Sequence, residues 1–71
     1  MSLKEILQSI LDSGDPILLS DRRRDWEAGD LLNTLSPSSL SSRAHLQPGL
    51  YIAAISSAGY LGQVLYRIKP K

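Results

Sequence analysis

The run Asp21-Arg22-Arg23-Arg24-Asp25-Trp26 holds the densest binding chemistry in the sequence. Guanidinium forks match carboxylates and phosphates, and an indole fills an apolar pocket, so Arg and Trp are over-represented where binding energy concentrates. A structural reading competes with this one: Trp26 closes the core beneath the loop, and the arginines pair with Asp21, Asp25 and Glu27. A nucleic-acid surface would recruit Arg22, Arg23 and Arg24 together with Arg43, Arg67, Lys69 and Lys71, with Tyr51, Tyr60 or Trp26 stacking on bases. Acidic residues on both sides of the arginine run and a net charge of only +1 place nucleic acid second to a protein partner.

Groups that could do covalent or acid–base chemistry occur without the context that makes them work. Serines, aspartates and a single histidine, His45, are present, but no G-x-S-x-G elbow accompanies them. His45 precedes Gln47-Pro48-Gly49 and is expected to cap the carbonyls of a preceding helix. Zero cysteines exclude a disulfide framework, a thiolate zinc site and a cysteine nucleophile. Asp21, Asp25 and Asp30 miss the one, three, five spacing of a calcium loop. Gly59 and Gly62 form a G-x-x-G fragment inside a strand-rich region, whereas phosphate-binding glycine loops open a helix. None of Glu5, Glu27 or the aspartates has the apolar neighbours that would raise its pKa for general acid work. The expectation is a non-enzymatic protein with no cofactor and no metal.

The elements that must position the arginine run begin with a helix. Leu3, Ile6, Leu7, Ile10 and Leu11 lie on one stripe at helical spacing, Ser2 with Glu5 reads as a capping box, and Gly14 suits the left-handed closing position. Asp15-Pro16 stops it, and Ile17-Leu18-Leu19 follows as a short strand. Asp21 to Asp30, charged and containing Gly29, reads as a surface loop. Leu31, Leu32 and Leu35 fit either period, with helix preferred. Ser36-Pro37 marks the start of a short helix running to about Arg43.

The last third is rich in Ile, Leu, Val and Tyr around a glycine-containing turn, which predicts a β-hairpin from Leu50 to Ser56 and from Tyr60 to Ile68. A Ser57-Ala58-Gly59 turn closed by Gly59 pairs Ser56 with Tyr60, Ala54 with Gly62, Ile52 with Val64 and Leu50 with Tyr66 on the core face. The other face carries Tyr51, Ala53 and Ile55 beside Leu61, Gln63, Leu65 and Arg67. It is open to a partner unless the Leu31 to Leu46 segment folds over it.

Together these elements predict one α+β domain over residues 1–71, with an N-terminal amphipathic helix on a small antiparallel sheet built around the C-terminal hairpin and one or two short helical segments between. A chain of 71 residues without disulfide or metal gains stability from a partner, so a homodimer or a stable complex is expected. Glu5, Gln8 and Ser9 make Met1 to Gly14 a poor secretory signal, and no apolar run is long enough to span a bilayer, which points to the cytoplasm. The predicted function is an accessory or regulatory subunit. It binds protein through Arg22, Arg23, Arg24 and Trp26, and through Tyr51, Ile55, Leu61 and Leu65 of the hairpin's second face.

Overall fold

The computed structural model describes residues 1–47, 51–55 and 63–71. In chain order these form α1 (Leu3–Ser13), β1 (Ile17–Ser20), β2 (Asp25–Trp26), α2 (Ala28–Thr34), α3 (Pro37–Leu40), β3 (Ala44–Gln47), β4 (Tyr51–Ile55) and β5 (Gln63–Pro70). The α+β architecture is the one the sequence predicts.

Helix α1 begins and ends as its caps dictate. Ser2 Oγ accepts the Glu5 N–H at 3.2 Å, and Gly14 adopts φ 69° while its N–H bonds the Leu11 carbonyl at 3.2 Å. Leu3, Ile6 and Leu7 are buried and Ile10 packs partly against the core, but Leu11 at the end of the stripe remains 42% exposed. Backbone on either side of Ser2 pairs with the chain entering β3: Leu3 N–H bonds the Ser42 carbonyl at 3.1 Å, and Ala44 N–H bonds the Met1 carbonyl at 2.9 Å.

All five strands form one antiparallel sheet in the order β2-β1-β5-β4-β3. Cross-strand partners share a face and neighbours along a strand alternate. Leu19 opposite Ile68, Ile52 opposite Tyr66, and Ala44 therefore belong to one face, as does Trp26 opposite Leu19. Leu19, Ala44, Ile52 and Tyr66 are buried there in one cluster with Leu3, Ile6 and Leu7 of α1 and Ala28 and Leu31 of α2.

Several boundaries differ from the sequence reading. Residues 21–30 are not one loop: a turn over 21–24 joins β1 to β2, and α2 starts at Ala28 with Gly29 inside it. The missed signal is Ala28, which with Leu31, Leu32 and Leu35 completes an i, i+3, i+4, i+7 stripe. The serine-rich helix starts at Ser36-Pro37 as predicted, with Ser36 Oγ accepting the Ser39 N–H at 3.3 Å, but it stops at Leu40 rather than near Arg43. Ser42 is buried instead, its hydroxyl donating to the Ser38 carbonyl at 3.1 Å, and the chain enters β3.

Strands β4 and β5 pair within the region predicted as a hairpin, but β5 runs on to Pro70 rather than ending at Ile68, and the register is displaced. Ile52 faces Tyr66 rather than Val64, and Ala54 faces Val64 rather than Gly62. A displacement of two residues preserves every face assignment, because side chains alternate with period two. The predicted turn over Ser57-Ala58-Gly59, with Leu50, Ser56, Tyr60 and Leu61, lies outside the described residues. Val64, placed in the core by prediction, shares the core face yet is 44% exposed.

Candidate interaction site: the arginine turn and the uncovered sheet face

The turn between β1 and β2 is organised by Asp21. One carboxylate oxygen, Oδ1, accepts the N–H of Arg23 at 2.7 Å and of Arg24 at 2.9 Å, while Oδ2 accepts the Trp26 indole N–H at 2.7 Å. The Asp21 N–H in turn donates to the Arg24 carbonyl at 3.1 Å, so the turn is pinned at both ends. Aspartate side chains close turns on backbone N–H groups two and three residues on, a role the sequence reading, which paired Asp21 with the arginines, did not assign. Partial burial opposes the charge on Asp21, but the N–H groups of Arg24 and Arg23, the Trp26 indole and the nearby Arg23 guanidinium outweigh it and hold the carboxyl below its ordinary value.

Trp26 is half-buried against the core, as the structural reading supposed. The second half of that reading fails, because the arginines do not pair with their acidic neighbours. Lys69 takes Asp25 at 2.7 Å and Lys71 takes Glu27 at 2.8 Å. The Lys69 ammonium, against slight desolvation and with help from Ser20, lowers the Asp25 pKa. Arg24 lies over the Trp26 ring, 3.8 Å from its centroid, in a cation–π contact. Arg22 and Arg23 are exposed and form no ion pair among the described residues.

On the face of the sheet opposite the core, Leu18, Ser20 and Lys69 are half-buried. Asp25, His45, Gln47, Leu65 and Arg67 are exposed there, with Leu65 at 55%. His45 belongs to β3, opposite Ala53, and caps no helix. Tyr51 and Ile55 lie on β4 at register positions opposite Arg67 and Gln63; Leu61 lies outside the described residues. The segment from Leu31 to Leu46 does not fold over this face: the buried residues of α2 and of β3 join the α1 side. Trp26 and Leu65 therefore sit on opposite faces, and the predicted site divides into a turn at the end of β1 and an uncovered sheet surface.

On the core side, burial and then the Asp21 charge raise the pKa of the Tyr66 phenol. A hollow of about 230 Å³ opens between the end of α1 and the start of α2, with Asp15, Asp30 and the Lys71–Glu27 pair among its lining. Among the described residues, no three His, Cys, Asp or Glu side chains come together to hold a metal ion, and no helix is long and apolar enough to cross a membrane. No protein-family model, no curated protein and no solved structure matches this chain.

Proposed function

We propose that this chain is a non-enzymatic protein-interaction domain, an accessory or regulatory subunit of the cytoplasm that docks through its arginine turn and the uncovered face of its sheet. The observation that carries the reading is one-sided packing: helices α1 and α2 contribute buried side chains to one face, while the opposite face leaves Leu65 55% exposed beside Arg67. Large apolar side chains on an otherwise polar sheet surface are the usual anchor of a protein contact. The partner is another protein or a second copy of the chain. Nucleic acid ranks lower because Lys69 and Lys71, two of the cations it would use, are held by Asp25 and Glu27.

Photo-crosslinking tests this reading. A benzophenone side chain placed at Leu65 is expected to trap a specific protein adduct in cells, and one placed at Gln8, on the exposed side of α1, is not. Leu65→Lys is expected to abolish self-association or partner recovery. Equal adducts from both positions, with the sedimentation of Leu65→Lys unchanged, overturn the proposal.

A further inference from the structure

We infer that the arginine turn is the receptor for a carboxylate-rich protein segment, because each acid flanking Arg22-Arg23-Arg24 is bound to a different group and leaves Arg22 and Arg23 displayed on a pinned turn. This deepens the protein-interaction reading and rests on it.

The three nearby acids would ordinarily neutralise such a run. Asp21 gives its two oxygens to backbone N–H groups and to the Trp26 indole, Asp25 meets Lys69, and Glu27 meets Lys71. Three consecutive cations then face one carboxylate, Asp21, whose charge reaches Arg23, and the remaining excess of positive charge is relieved by an anion brought from outside. Arg24 is fixed on the Trp26 ring, and the backbone of Arg23 and Arg24 is fixed by Asp21. Binding therefore orders little beyond the outer guanidinium groups, which lowers its entropic cost.

The shape of the positive charge decides between carboxylates and a phosphate backbone. A nucleic-acid strand is tracked by cations spread along a groove or face. Here the lysines of the C-terminal strand are neutralised, and Arg43 lies beside β3, at the far edge of the sheet from β2. Lys4, Arg43 and Arg67 are exposed singly elsewhere in the fold, whereas Arg22, Arg23 and Arg24 are contiguous on one turn, the span of a few adjacent Asp or Glu side chains. Arginine forks bind such groups through paired N–H donors.

The test titrates the isotopically labelled full chain with a capped hexaglutamate peptide, with hexaglutamine and a thymidine oligonucleotide of equal charge as comparators. Hexaglutamate is expected to shift the amide signals of residues 22–26 saturably, with an affinity that falls as salt is raised. Arg22→Ala with Arg23→Ala is expected to weaken it about tenfold, the loss of a charge-assisted contact. Arg22→Lys with Arg23→Lys keeps the charge and loses the fork, so an intermediate loss of about threefold is expected; this pair carries the test if the alanine variant fails to fold. Tighter binding of the oligonucleotide, or no saturable response to hexaglutamate, overturns the assignment. If the cross-link from position 65 persists in that case, only the partner chemistry falls; loss of both removes the interaction reading as well.

Discussion

A single carboxylate at Asp21 sets the conformation of the most charged part of the chain. Asparagine at this position keeps one acceptor oxygen for the backbone of Arg23 and Arg24 but presents an NH₂ where Oδ2 receives the Trp26 indole N–H. Asp21→Asn is expected to cost about 1–2 kcal/mol at neutral pH, measured as a lower urea midpoint. The pH dependence follows from the lowered pKa. A carboxyl that is more acidic folded than unfolded stabilises the fold fully above its unfolded value, about 3.9, and progressively less as pH falls through the folded value. Acidification should therefore destabilise the native chain more than Asp21→Asn, and parallel acid limbs for the two would show that Asp21 does not carry this effect. The arginines and Trp26 were visible in the sequence as binding chemistry. Which acid served which cation was not, since Lys69 and Lys71 reach Asp25 and Glu27 only after β5 pairs with β1.

Elements with strong local signals were legible, strands β1, β4 and β5 among them, while β2 and β3, whose own sequences carry little strand signal, were not. Helix α1 announced itself through its stripe and both caps. Strand β3 offers only Ala44 and Leu46 as apolar alternation and owes its existence to β4, so its local sequence read as the loop or helix end that follows a helix running to about Arg43. The register of β4 on β5 depends on a turn whose type the sequence underdetermines, while the face assignment depends only on parity and survived the displacement. In α2 the glycine at position 29 concealed a helix that Ala28 and Leu31 anchor by burial. A Cβ at Gly29 would meet only Leu11 Cδ2, at 3.7 Å, an ordinary contact distance. Gly29→Ala is therefore expected to stabilise the protein by about 0.5–1 kcal/mol, raising its thermal midpoint, and a fall in that midpoint would contradict the open packing described there.

For the molecule as a whole, one-sided packing separates residues that hold the fold from residues available to a partner. Leu7, fully buried, and Leu65, 55% exposed, are the same residue type in opposite settings. Leu7→Ala is expected to lose about 2–5 kcal/mol by leaving a cavity, and Leu65→Lys to change stability by no more than about 0.5 kcal/mol. Denaturant melts of the two variants check this, and a large loss from Leu65→Lys would mean that the outer face is internally packed. The sheet order adds a consequence for how the chain folds. Strand β5 is last in sequence yet central in the sheet, flanked by β1 and β4. Until β5 pairs, the β1–β2 ribbon and the β3–β4 pair share no strand ladder, and each keeps a raw edge. The folding chain is thus most exposed to mispairing until β5 takes its central place between those two edges.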